Sequence, residues 1–158
     1  IPDIVVLSKS IGGYGMPFAL TLFKPELDVW NPGEHNGTFR GNQLAIVAAK
    51  AGLEFMKNNH IEAEVQRKSK IIEKFLNEEI KPLNKNFEIR GIGFIWGIET
   101  HDGVLAKKIS KECFKAGLIV ERAGRGDSVV KIMPALITDE ETLEKGLNIL
   151  KETIKKCL

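Results

Sequence analysis

Cysteine is scarce in this chain: there are two in 158 residues, Cys113 and Cys157. They lie far apart without metal-type spacing, and Cys113 falls on an apolar helix face, which excludes a disulfide framework and points to a reduced, cytoplasmic setting. Long apolar runs are missing too. No stretch approaches the ~18 residues that a membrane span needs, and no charged-then-apolar leader opens the chain, so no membrane association is expected. The three histidines are scattered, with no second ligand at a useful spacing, so no metal site is expected. Charge of one sign is also absent: 23 Lys and Arg against 21 Asp and Glu leave a net charge of +2. These charges are interspersed along helix faces instead of gathered into a basic tract, which argues against a nucleic-acid partner. Internal repeats and low-complexity segments are absent.

What is present is the composition of a packed globular protein, 43% hydrophobic and 28% charged. The length suffices for one domain or for pieces of two. There is no initiator Met, and Ile1-Pro2-Asp3 runs straight into the aliphatic strand Ile4–Leu7, so the chain reads as a piece of a longer α/β protein. The continuous run Ile4–Leu7 has the pattern of a strand buried on both faces. It ends at Ser8-Lys9-Ser10 before Gly12-Gly13-Tyr14-Gly15. Met16–Phe23 is a second short apolar stretch. Residues 24–40 hold Pro25, Pro32, Gly33 and Gly37 and read as a long loop, a length that is usually functional or disordered. From Asn42 a helix is predicted, with Leu44, Val47, Ala48, Gly52 and Phe55 on its inner face. A second runs from about Ile61, with Val65, Ile72, Phe75, Leu76 and Ile80 on one side, until Pro82 ends it. Strands are predicted at 87–90, 94–99, 118–121 and 129–133, with a helix over 103–116 stopped by Gly117. Thr138 and Glu141 form a capping box for a last helix carrying Leu143, Leu147, Leu150 and Ile154. Residues from about His60 onward thus form an α+β unit in two layers.

Lys9 is the first candidate for chemistry. A lysine delivered to the end of a buried strand is partly desolvated, which favours the neutral amine that condenses with an aldehyde, and the following glycines let a flat ring approach the backbone. On position alone, a surface lysine at a strand end is the better explanation. A second candidate is Gly37-Thr38-Phe39-Arg40-Gly41-Asn42 ahead of a helix, where a hydroxyl and the unpaired N–H groups of a helix N-terminus suit a phosphate. Lys131, in Val129-Val130-Lys131-Ile132-Met133-Pro134, is a possible carboxylate ligand, or an outward residue on an alternating strand. Arg90, Arg122 and Arg125 have weaker claims to the same role. His35 could line a site in the long loop, whereas His60 and His101 sit at segment boundaries. Gly91-Ile92-Gly93 and Gly124-Arg125-Gly126 are turns, since they lack the remaining glycine of a dinucleotide motif.

The stretch Pro2 to Gly13 resembles the Schiff-base lysine segment of class III aminotransferases, and Gly37 to Asn42 resembles the phosphate-binding turn of the same family. The resemblance covers the whole chain. It implies an α/β fold-type-I pyridoxal-phosphate (PLP) transferase, with residues 1–59 ending the large parallel-sheet domain and 60–158 forming the small C-terminal domain. It further implies PLP as cofactor, bound by Lys9, Gly37 and Thr38, with Lys9 catalytic and Thr38 reaching the cofactor phosphate of a neighbouring subunit in a homodimer or larger homo-oligomer. The substrates implied are small amino and keto acids. Within the family, Trp30 to Gly41 narrows the expectation to exchange between glutamate/2-oxoglutarate and aspartate semialdehyde/L-2,4-diaminobutyrate, a supply step for ectoine biosynthesis. Ornithine- or aminobutyrate-type transaminases and aminomutases keep the same two segments, and a non-catalytic fragment is the rival of another class. The family's upstream phosphate turn, its ring-stacking aromatic and its ring-nitrogen Asp would precede Ile1. Its small-domain arginine is replaced here by Lys131, a point charge without bidentate geometry.

Overall fold

A computed structural model describes residues 1–13 and 15–158; the Tyr14 of the glycine-rich turn lies outside the described residues. The chain divides into two compact units, Ile1–His60 and Ile61–Leu158.

In the first unit, strand β1 (Ile4–Ser8) pairs antiparallel with β2 (Ala19–Phe23), from Ile4 opposite Phe23 to Ser8 opposite Ala19. The strand pair contributed by this chain is therefore antiparallel. A 3-10 turn, Lys9–Gly12, leaves β1, and helix α1 (Gln43–Asn58) closes the unit. The expectation that β1 is buried on both faces is not met in this unit: Ile4 and Val6 are exposed, while Val5 and Leu7 are half-buried. One neighbouring strand and one helix cannot cover two faces. The inner face predicted for α1 is also corrected. Of that face Ala48 and Gly52 are half-buried, but Leu44, Val47 and Phe55 are exposed, and the buried positions are Ala45 and Ala49. Small residues win because the helix lies against the turn after Lys9, where a Cβ added to Gly13 would stand 2.9 Å from the Ala48 carbonyl oxygen.

The second unit is a four-stranded antiparallel sheet covered by helices. Helix α2 (Ile61–Phe75) passes through a π turn at Leu76–Ile80 into a 3-10 turn at Lys81–Leu83, so Pro82 ends the helix by way of two changes of winding. Strands β3 (Glu88–Ile92) and β4 (Ile95–Glu99) form a hairpin; α3 (Gly103–Lys115), β5 (Glu121–Ala123), β6 (Val129–Ile132) and α4 (Glu140–Cys157) follow, with sheet order β3-β4-β6-β5. One core draws on every layer: Ile72 and Leu76 from the α2 segment, Trp96 and Ile98 from β4, Ile109 from α3, Val130 from β6, and Leu147, Leu150 and Ile154 from α4.

Two predicted boundaries move. The strand expected at 118–121 lies at Glu121–Ala123. Upstream of it the backbone is already committed to α3: the Leu118 amide bonds the Cys113 carbonyl at 2.9 Å and the Ser110 hydroxyl donates to the Val120 carbonyl at 2.9 Å. At α4 the cap is Asp139, one residue past the expected Thr138; its carboxylate takes the Thr142 amide at 2.7 Å and the Thr142 hydroxyl at 2.8 Å. The Thr138 carbonyl instead receives the ammonium of Lys68, a buried residue of α2, at 2.7 Å. Cys113 and Cys157 are both free and buried. Burial pushes the Cys113 thiol up to about 11, which makes it a core residue and not a nucleophile.

Candidate active site

Lys9 occupies a left-handed backbone conformation, φ 58°, at the point where β1 stops. For a residue with a Cβ this costs about 1–2 kcal/mol, and such strain persists only where the surroundings over-determine it. Here the constraint follows immediately. Gly12 and Gly13 are held against Phe18 and α1, since a Cβ on Gly12 would fall 2.9 Å from the Phe18 Cβ, and Gly13 itself has φ 67°. The strand end, the turn and the helix thus form one assembly that aims Lys9. Its side chain is exposed, so the desolvation expected at a buried strand end is not supplied by this unit.

The 24–40 loop holds itself together by local bonds. Asn31 donates its backbone and side-chain N–H groups to the Glu34 carboxylate at 2.8 and 3.1 Å, which lowers the Glu34 pKa. Asn36 donates to the Gly33 carbonyl at 3.3 Å. Trp30 stacks on His35 with ring centroids 4.9 Å apart and meets Phe23 edge-on at 5.2 Å. Gly37 opens a turn closed by the Arg40 amide at 3.0 Å, and the Arg40 guanidinium is tied to the His35 carbonyl. A side chain on Gly37 would crowd Arg40, with its Cβ 3.2 Å from the arginine Cγ.

This folding of the loop creates an open concavity of about 970 Å³. Thr38 lines it together with Asp28, Trp30, His35 and Arg40. Lys9 does not. Sequence reasoning overestimated one donor source: the Asn42 side chain already accepts from the amides of Leu44 and Ala45, at 3.1 and 3.4 Å, so the first free N–H groups of α1 are spent on its own cap. A phosphate would be met by the Thr38 hydroxyl, the amides of its turn and the unspent N–H groups of Arg40. A hydroxyl, backbone amides and a guanidinium beside a glycine are a donor set that suits a phosphate monoester. Asp28 joins this lining because the loop, and not a periodic element, brings it here.

In the second unit, Lys131 stands opposite Glu121 in the β5–β6 pairing, and its ammonium is engaged by that carboxylate. Arg122 pairs with Asp127 at 3.0 Å, and Arg90 with Glu99 at 2.9 Å. The Glu99 carboxylate is buried and accepts from Ser128, Arg90 and the His101 amide; these bonds outweigh burial and hold its pKa down to about 2. His101 lies 3.1 Å from Glu88 and, like His60, has a left-handed backbone. Among the described residues, no group of three His, Cys, Asp or Glu is placed to hold a metal ion, and no helix is long and apolar enough to cross a membrane.

Over 155 residues the chain is 48% identical to a diaminobutyrate–2-oxoglutarate transaminase of Halalkalibacterium halodurans, covering 98% of this chain and 36% of that relative. A transaminase of the same name from Wolinella succinogenes is 48% identical over 158 residues, covering 99% of this chain and 37% of its own length. The chain thus spans little more than a third of the curated relatives it matches. Among solved structures, ornithine δ-aminotransferase of Plasmodium falciparum superposes with a TM-score of 0.83 at 28% identity, over 99% of this chain and 41% of that one. Acetylornithine aminotransferase of Elizabethkingia anophelis does so at 0.87 and 25% identity, over 99% of this chain and 39% of that one. The family model described as aminotransferase class-III matches residues 1–154, and the chain belongs to that family of fold-type-I enzymes, whose cofactor is pyridoxal phosphate.

Proposed function

We propose that the whole protein is a cytoplasmic transaminase that exchanges an amino group between glutamate/2-oxoglutarate and aspartate semialdehyde/L-2,4-diaminobutyrate, a step that would feed ectoine biosynthesis. The observation that carries the reading is Lys9, held in a strained conformation at a strand end by a glycine turn locked to a helix. The choice of substrate is supported by the names of the relatives at 48% identity. Residues 1–59 are then the end of the large cofactor-binding domain and 60–158 the small domain.

Pyridoxal phosphate supplies the electron sink when bound. The residues of this chain supply placement and proton transfer. Lys9 would hold the cofactor through Nζ and would act as the general base toward the proton on the donor's amine-bearing carbon. Thr38, with Gly37 giving its turn room, holds the phosphate. Because Lys9 does not line the concavity of Thr38, the reading takes Thr38 to act on the cofactor of a second subunit in a homodimer or larger assembly. Lys131 is the proposed ligand of a substrate carboxylate, which requires it to leave Glu121.

The likeness to ornithine δ-aminotransferase at 28% identity favours a second reading, an ornithine-type enzyme. Steady-state kinetics on diaminobutyrate, ornithine and 4-aminobutyrate decide between them. The expected result is the highest kcat/KM for diaminobutyrate, with Lys9→Ala lowering it by at least about 10²–10⁴-fold. A preference for ornithine or 4-aminobutyrate refutes the proposed substrate, and an active Lys9→Ala enzyme refutes the role of Lys9.

A further inference from the structure

The two amino donors of the proposed reaction agree in reach and differ at their far ends. L-2,4-diaminobutyrate gives up its terminal amine, so its unreacted end is an α-amino acid, a carboxylate with an ammonium on the next carbon. Glutamate gives up its α-amine, and its unreacted end is a carboxylate alone. That distal carboxylate lies as many bonds from the reacting carbon in one donor as in the other. One cation can therefore hold it in both, and what tells the two apart is a group that receives the ammonium beside it. Such a group is acidic, stands next to the cation and is open to solvent.

The outer face of the sheet in the second unit carries such a pair. Val130 and Ile132 point into the core, so Lys131 between them projects from the opposite face. Its cross-strand neighbours share that face: Glu121 on the edge strand β5, and Gly97 on β4. Glu121 engages the Lys131 ammonium, and the two side chains are 61% and 28% exposed. Gly97 leaves the other flank of Lys131 without a side chain, and beyond it Arg90 is held by Glu99 at 2.9 Å. A pair of net zero charge discriminates between the two far ends. A lone carboxylate reaches Lys131 only by parting it from Glu121. An α-amino acid brings a replacement: its carboxylate takes the Lys131 ammonium while its own ammonium takes Glu121, and every charge stays paired. We infer that Glu121 is the specificity-determining group that receives the α-ammonium of a diamino acid donor whose carboxylate is held by Lys131. The inference rests on the proposed reading of Lys131 as the carboxylate ligand and names the residue by which that site tells a diamino acid from a plain ω-amino acid.

The test uses the whole holoenzyme and its Glu121→Gln, Glu121→Asp and Lys131→Ala variants. Glu121 lies on an exposed strand edge, so its substitution leaves the core intact. 4-Aminobutyrate is diaminobutyrate without the α-ammonium, and the ratio of kcat/KM for the two isolates that one contact. In Glu121→Gln the ratio is expected to fall at least about tenfold, entirely through diaminobutyrate, with kcat/KM for glutamate held or raised because Lys131 has no anionic partner to leave. Glu121→Asp should restore part of the ratio, and Lys131→Ala should lower kcat/KM for all three substrates. An unchanged ratio in Glu121→Gln overturns the inference alone. So does an equal fall on all three substrates, which would show that Glu121 only orders Lys131. Undiminished use of glutamate by Lys131→Ala removes the substrate from this pair and takes the inference with it. A wild-type enzyme that does not distinguish diaminobutyrate from 4-aminobutyrate overturns the substrate reading and the inference together. One that prefers ornithine overturns only the former, and the ratio is then taken between ornithine and 5-aminopentanoate.

Discussion

Glu99 shows how far a single carboxylate can be committed to the fold. Its side chain is 12% exposed, and it gathers the end of β4, the turn before α3 and the start of β6 by accepting from Arg90, His101 and Ser128. Its folded pKa, about 2, lies below the ordinary value of 4.5 expected when unfolded. The stabilisation is therefore fully present above about pH 4.5 and is lost as the pH falls from there through 2. Glu99→Gln is expected to cost about 1.5–3 kcal/mol at pH 7, the range for a hydrogen bond to a charged group. Thermal melting at pH 7 and again at pH 3 checks this: the gap between wild type and variant should narrow at the lower pH. An equal gap at both would show that the charge itself contributes nothing. The same accounting separates Arg90 from the substrate. Its guanidinium is already bound to a buried carboxylate, whereas the Glu121 partner of Lys131 sits at an exposed strand end, 61% accessible, and is the easier of the two pairs to exchange.

At the scale of elements, glycine shows where packing overrules propensity. Gly103 is the first residue of α3, and a Cβ there would lie 2.2 Å from the Gly126 carbonyl oxygen. Alanine is the better helix former by about 1 kcal/mol, yet the clash is with backbone that a side chain cannot dodge. Gly103→Ala should thus destabilise by about 1–3 kcal/mol, as overpacking does. Gly146 in α4 is the control. Its added Cβ would make an ordinary 3.5 Å contact with Leu118, so Gly146→Ala should stabilise by up to about 1 kcal/mol. Urea unfolding of both variants reads the two signs, and a stabilised Gly103→Ala would contradict the contact. The contrast also explains what was legible beforehand. In α4 a regular spacing of large residues matches the burial of Leu143, Leu147, Leu150 and Ile154, because a helix covering one face of a sheet has one inner side. In α1 the same reasoning chose Leu44, Val47, Ala48, Gly52 and Phe55; the small Ala48 and Gly52 are half-buried against the glycine turn, and the three large residues are exposed because that surface admits only small ones. The strand at β5 slipped along the chain because a serine on α3 claimed the carbonyl of Val120, a tertiary bond with no local signature. The site divides in the same way. Lys9 was visible as a strand ending in a glycine turn, but its left-handed backbone was not, and the company Asp28 keeps with Trp30 and Thr38 appears only once the loop has closed.

At the scale of the whole molecule, the separation of Lys9 from the concavity of Thr38 bears on assembly. If both act on one cofactor from different copies, a closed two-fold gives each site one lysine and one threonine from opposite subunits. Helix α1 exposes Leu44, Val47, Leu53 and Phe55, an apolar surface that either the remaining two thirds of the protein or a second copy would cover. A complementation experiment tests the shared site. On the proposed reading Lys9→Ala removes the essential amine, and Thr38→Ala removes a hydroxyl that would bond the phosphate, worth about 1.5–3 kcal/mol. Each homodimer carries two defective sites. In a mixed dimer of the two variants, sharing puts both lesions into one site and leaves the other whole. Random reassociation of equal amounts makes half of the dimers mixed, each with one intact site of two, so activity should return to about a quarter of wild type. If instead each subunit builds its own site, every site in the mixture keeps one lesion and activity stays at the average of the two homodimers. Recovery no better than that average would place Lys9 and Thr38 in the service of the same subunit, and the dimer would then be a matter of stability and not of chemistry.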